Sequence, residues 1–98
     1  MVTGKGAIKL FYFMKGRAIT KHLAKEPAYY QKKLGERIKQ LRIKAGYSSY
    51  EYFAYEHNIS RAQFGRYEQG QDLRFSSLIK IIKAFDVSIE DFFSQGFD

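Results

Sequence analysis

At 98 residues the chain has material for one domain with a single modest core, and two separate cores are excluded. It contains no cysteine, which rules out disulfides and thiolate metal sites and suits a reducing, cytoplasmic setting. Seventeen Lys and Arg stand against ten Asp and Glu, a formal charge of +7, so an anionic partner is expected, nucleic acid before a membrane surface.

The charge is unevenly spread. Residues 1–44 hold 12 Lys and Arg against Glu26 and Glu36, a net of +10, whereas residues 45–98 hold 5 against 8, a net of −3. If the partner is nucleic acid, phosphate attraction independent of base sequence is expected from the N-terminal arm and the first helix. The plain alternative is a Lys-rich start that only keeps the chain soluble.

Residues 1–27 read as a basic arm or extension and residues 28–98 as the domain. Within the arm, AIKLFYF at 7–13 is apolar and strand-like, with Lys5, Lys9 and Lys15 around it. It is too short to span a membrane, and with no small-residue cleavage site it is not read as an export signal. Three readings stand open for it: an arm without fixed structure, an edge strand that pairs a dimer, or upstream sequence outside the natural domain, with Met14 as an alternative start. Residues 17–25 can form a short helix before Pro27, and His22 reads as a solvated residue without a metal partner set.

A first long helix is predicted from 28 or 29 to 44, opened by Pro27, with Leu34, Ile38 and Leu41 as its inner stripe and Lys32, Lys33, Lys39 and Lys44 outside. Gly46 caps its C-terminus. Ser49 is the N-cap of a second helix, with Tyr50 and Glu51 in its first turn and Phe53, Ala54 and His57 on its inner face. His57 there reads as a core or rim histidine. Asn58 suits the left-handed conformation of a sharp turn, and Ser60 caps a third helix over 61–69 that Gly70 ends.

Phe64, Tyr67 and Glu68 mark the inner face of that third helix, which leaves Arg61, Ala62, Gly65, Arg66 and Gln69 outward or on its rim. Such a surface can enter a major groove: Ala62 and Gly65 leave room for close approach, Ala62 can meet a thymine methyl, and Arg61 and Arg66 carry the fork that reads guanine. Gly65 fits equally a tight contact with another helix. Tyr47, Tyr50, Tyr52 and Tyr55 lack the alternation of a base-stacking sheet, and two or three of them are expected to pack sideways on the first or fourth helix, hydroxyls in water. Ser76 is read as the cap of a fourth helix with Leu78, Ile81, Ile82 and Phe85 inward and Lys80 and Lys83 outward. Ser88 with Asp91 resembles a capping box that opens a fifth helix. Phe92 and Phe93 there cannot share one face, so one of them with Phe97 is left for a dimer contact or for packing against the N-terminal segment.

Four stretches in order, RIKQLRIKAG, then SYEYFA, then NISRAQFGRYEQG, then SLIKIIKAFDVSIEDFF, make residues 34–93 similar to the DNA-binding domain of the phage-repressor and Cro superfamily, often called the Xre family. Each stretch alone is weak, and the ordered set is specific. The resemblance implies an all-α, five-helix, lambda-repressor-like helix-turn-helix domain that binds double-stranded DNA as a homodimer and regulates transcription. It implies base contacts from Arg61, Ala62 and Arg66. Backbone contacts are expected from Ser49, Tyr50, Ser60, Gln63, Gln69, Arg74 and Lys44. It also implies a structural pair between Arg42 and Glu68 that ties the first helix to the third. The chain departs from the family's usual pattern in one extra residue, Tyr47 or Ser48, between the first two helices, and in lacking a proline over 71–75.

No enzyme, cofactor or metal is expected. The GKG at 4–6 lacks the length and the Ser or Thr of a phosphate loop, and no triad or paired-ligand spacing occurs. Two other classes remain beside the regulator: an antitoxin-like or accessory module that binds a protein partner and regulates its own DNA secondarily, and a basic RNA-binding or peripheral membrane protein that uses the first 25 residues.

Overall fold

The structure, a computed structural model, describes residues 23–98. The apolar run at 7–13, Met14, His22 and most of the short helix expected over 17–25 lie outside the described residues; residues 23–26 are not helical. Five helices follow: α1 Pro27–Lys44, α2 Tyr50–Glu56, α3 Arg61–Glu68, α4 Phe75–Ala84 and α5 Ile89–Phe92. None of the described residues forms a strand.

α1 starts with Pro27 in its first turn, where a residue without an N–H and with a preset φ costs nothing. Two faces of this helix organise the rest. Leu34, Arg37, Leu41 and Lys44 recur at steps of three and four and turn toward α5 and the residues around it, while Gly35, Ile38 and Arg42 turn toward α3. Ile38 is fully buried between them.

Helices α1, α2 and α3 end the same way. Gly46 (φ 97°), Asn58 (φ 60°) and Gly70 (φ 101°) take the left-handed conformation one residue past the C-cap. Each sends its own N–H, and the next residue's, back to the preceding turn: Tyr47 N to Arg42 O at 3.1 Å, Ile59 N to Ala54 O at 2.8 Å and Gln71 N to Arg66 O at 3.0 Å close the three turns. The positive φ that the turn requires explains why small or short polar residues stand at these points. Asp86 (φ 59°) takes the same left-handed conformation after α4, its N–H donating to Lys83 O at 3.0 Å, a position that its neighbours did not mark. Ser49, Ser60 and Ser88 accept backbone N–H groups from Tyr52, Gln63 and Asp91.

The cap of α4 differs from expectation. The helix begins at Phe75, its N-cap is Arg74 without a side-chain bond, and Ser76 lies inside the first turn. Leu78 N donates to Arg74 O at 3.0 Å, so the tertiary position of the apolar stripe sets the start.

The core comprises Ile38, Leu41, Phe53, Ala54, Phe64, Tyr67, Leu78, Ile81, Ile82 and Phe92. Phe53 is its centre, with ring centroids 5.2 Å from Phe64 and 4.9 Å from Phe85. Ala54 is fully buried beside the turn where α2 gives way to α3. Of the adjacent aromatics on α5, Phe92 is fully buried and Phe93 is 42% exposed, the divergence that helical geometry demands.

Arg37, unmarked in the sequence, is also buried. Its Nε donates to Phe92 O at 2.6 Å, Nη2 to Asp91 O at 2.8 Å and Nη1 to Gln40 Oε1 at 2.6 Å. A guanidinium is thus seated on the carbonyl end of α5, where the helix dipole favours positive charge. Its spacing from Leu34 and Leu41, three and four residues, was the available signal.

Candidate nucleic-acid interface

α3 is held from behind. Phe64 is fully buried, Tyr67 nearly so, and Glu68 turns inward to Arg42. Arg42 Nε donates to Glu68 Oε2 at 2.7 Å, Nη2 to Oε1 at 3.0 Å and Nη1 to the Tyr47 carbonyl at 2.7 Å. The two side chains are only 5% and 7% exposed, so this is a forked, desolvated pair. The connection before α2 takes part in it, since Tyr47 supplies the third acceptor.

The outer face follows from what is locked inside. Arg61, Ala62, Gln63, Arg66 and Gln69 are exposed. At about 100° per residue, Ala62, Arg66 and Gln69 fall within about 60° of one another and form the centre of that face. Gln63 lies to one side of it. With Ser60, Ser77 and Lys80 it borders a cleft of about 100 Å³ beside α4, and Lys80 Nζ donates to Asn58 O at 3.4 Å. Lys80 therefore joins Ser60 and Gln63 at the start of α3, a meeting of residues 20 positions apart that its outward place on α4 did not reveal. Arg61 projects from the first turn on the azimuth of Glu68, away from Ala62 and Arg66.

Gly65 is corrected. It is buried, and a Cβ there would lie 2.7 Å from Tyr50 Cε1. The missing side chain makes room for the Tyr50 ring, which packs α2 onto α3, and does not open the outer face. Of the tyrosines, Tyr47 stands edge-on to Phe53 at 5.0 Å and Tyr50 covers Gly65 of α3, and both pack against the core. Tyr52 and Tyr55 are exposed. His57 is half-buried with its ring 4.3 Å from Phe53.

Ser49 and Ser60 use a lone pair for their caps; the Ser49 hydroxyl donates to Glu51 Oε1 at 3.4 Å, and that of Ser60 can donate its hydrogen outward. Arg74 is exposed at the start of α4 beside Phe75, itself 69% exposed. Gln69 is the C-cap of α3 and exposed. Lys44 stands apart: it borders a cleft with Phe85, Val87, Asp91 and Gln95 on the α5 side of α1, away from α3.

On the exposed side of α2 the Tyr47 hydroxyl donates to Glu56 Oε1 at 2.6 Å. This bond, with a smaller contribution from Tyr52, holds the Glu56 carboxyl below its ordinary range and the Tyr47 and Tyr52 hydroxyls above theirs. A depressed carboxylate stabilises the fold above its unfolded pKa and loses that contribution as pH falls through the folded value; the raised tyrosines contribute below about pH 10 and lose it as pH rises further. Tyr47→Phe is expected to return the Glu56 pKa toward the ordinary value in a carboxyl-detected NMR titration. An unchanged Glu56 titration would show that the bond is not populated in solution.

Residues 37–95 match the family model for the Cro/C1-type helix-turn-helix DNA-binding domain. The chain belongs to this family. The match runs from Arg37 past α5, so it includes the α2-turn-α3 unit and both residues of the Arg42 and Glu68 pair. No curated protein and no solved structure matches the chain. The Cro/C1-type domain is a DNA-binding unit of regulators, and among its described residues no helix is long and apolar enough to cross a membrane.

Proposed function

We propose that this Cro/C1-type domain is a sequence-specific regulator of transcription that reads duplex DNA as a homodimer, α3 lying in the major groove. The observation that carries the reading is the division of α3: Phe64, Tyr67 and Glu68 are fixed inward, and Ala62, Arg66 and Gln69 stand together outside. Arg66 projects from a helix whose position is set by a buried ion pair, so its fork meets a guanine O6 and N7 without having to order the backbone first. Ala62 sits beside it with room for a thymine methyl, and Arg61 adds a contact at the groove's edge. Ser49, Tyr50, Ser60, Gln63, Gln69 and Arg74, joined by Lys80, hold the flanking phosphates, which fixes register without selecting bases.

The test is selection of random duplex DNA by the purified protein, followed by sequencing. A palindromic motif with half-sites about one helical turn apart is the expected outcome. A bound pool that stays random and is released by salt would leave only electrostatic attachment by the basic residues. On the selected site, Arg66→Ala is expected to lose about 1–3 kcal/mol and to relax preference at one base position, whereas Lys80→Ala weakens all duplexes alike and lowers the salt slope by about one. Equal losses on selected and random DNA for Arg66→Ala would remove it as a base reader.

A further inference from the structure

An apolar groove of about 510 Å³ lies on the side of α1 that carries Tyr30 and Leu34, with Leu23 and Pro27 at one end and Phe93 and Phe97 opposite. We propose that its occupant is the chain's own apolar run at 7–13, AIKLFYF, folded back onto the domain that follows it.

Three observations favour this occupant. The first is continuity. The Tyr30 hydroxyl accepts from Ala24 N at 3.1 Å and from Lys25 N at 3.3 Å, which pins the backbone just after residue 22 to α1, and Leu23 itself lines the groove. The preceding chain therefore departs from the groove's own rim. The second is reach. Residues 14–22 separate the run from Leu23, a linker that spans at most about 30 Å when extended, and Gly16 within it imposes no bar to a reversal. The third is chemistry. Leu23 is 80% exposed and Phe93 42% exposed, Phe97 is half-buried, and the aromatic and aliphatic side chains of 7–13 match such a lining. A tethered segment acts at an effective concentration in the millimolar range, so burial of a few side chains suffices. A second copy of the chain has no such advantage, and a stable interface between copies engages about 20–30 residues a side, more than this groove offers.

Docking would also fix the place of the basic arm. Lys5 and Lys15 flank the run and Lys9 lies within it, so their charge would be held beside the groove along α1.

The full-length chain has no cysteine, so Lys9→Cys can carry a single nitroxide, and nitrogen-15 amide spectra report what it approaches. The expected result is loss of the Leu34, Phe93 and Phe97 amide signals, with that of Tyr55 on α2 retained. Adding Phe11→Glu and Phe13→Glu to the labelled chain should restore all three. Phe93→Glu, at a position 42% exposed, should weaken the effect from the groove's side. Signals that survive at all three positions in the labelled chain would overturn the proposal. So would broadening that arises only when spin-labelled and isotope-labelled chains are mixed, because a second copy would then occupy the groove. None of these readouts involves DNA, so they stand or fall apart from the regulator reading.

Discussion

Arg42→Met is expected to lower the stability of the domain by about 3–5 kcal/mol, read as a shift of the urea midpoint at unchanged slope. The reason is the state in which it leaves Glu68. That side chain is 7% exposed and takes two of its hydrogen bonds from the guanidinium, so the variant strands a carboxylate away from water and also frees the Tyr47 carbonyl that the third arm satisfied. In a small domain whose whole stability is about 5–15 kcal/mol, such a loss brings the chain near its unfolding threshold. Arg42→Met combined with Glu68→Leu is expected to recover most of it, because apolar side chains of similar volume often replace a buried pair at little net cost. Additive single effects in this cycle would show that the two residues do not hold α1 to α3. DNA affinity should follow the single variant down and return with the double, since neither residue faces outward.

The second large effect is expected from Gly35→Ala, about 3 kcal/mol of destabilisation. Alanine is the better helix former by about 1 kcal/mol, and on an open helix face the change would stabilise. Here a Cβ would sit 2.5 Å from Tyr67 O and 2.6 Å from Glu68 O. Tyr67 O already accepts from Gly70 N in the turn that ends α3, so the clash meets backbone that cannot rotate aside, and the last turn of α3 must move off α1. Overpacking of this kind typically costs about 1–3 kcal/mol, occasionally more, and here it also stretches the Arg42 and Glu68 bonds two turns farther along α1. Gly46→Ala is the informative contrast: nothing lies within 4 Å of its Cβ, and only the φ of 97° opposes it, which costs about 1–2 kcal/mol. A Gly35→Ala chain as stable as the parent would mean that the two helices do not cross this closely.

The reading unit was legible because its marks are local. Ser49, Ser60 and Ser88 cap helices through amides three residues away, and Asn58 and Gly70 reverse the chain through bonds within one turn. These interactions are complete within a short window of sequence, so residue type and spacing were enough. Ser76 shows the limit of the same reasoning, since a serine in the right place does not cap when the packing of Leu78, Ile81 and Ile82 starts the helix at Phe75.

The candidate site was legible in outline and blurred in detail. The alternation of Phe64 and Tyr67 with Ala62 and Arg66 is a property of one helix. Which of the outer residues stand together is not, because neighbours from other helices decide it. Gly65 shows no difference in the sequence between a glycine bared for DNA and one pressed against Tyr50. Lys80 reaches Asn58 O from another helix, and Lys44 turns to the α5 side of α1.

By itself, then, the sequence determined the helices, most of their ends, the inward stripes and the family to which the ordered set of motifs belongs. Only the tertiary structure decided that Gly35 marks the crossing of α1 and α3, that Arg37 seats itself on carbonyls 54 and 55 positions away, and that Tyr50 closes over Gly65. Helix propensity, capping and periodicity act over one to four residues and can be read along the chain. A close crossing or a buried guanidinium depends on which atoms of distant segments arrive at the same point, and that is settled when the helices pack.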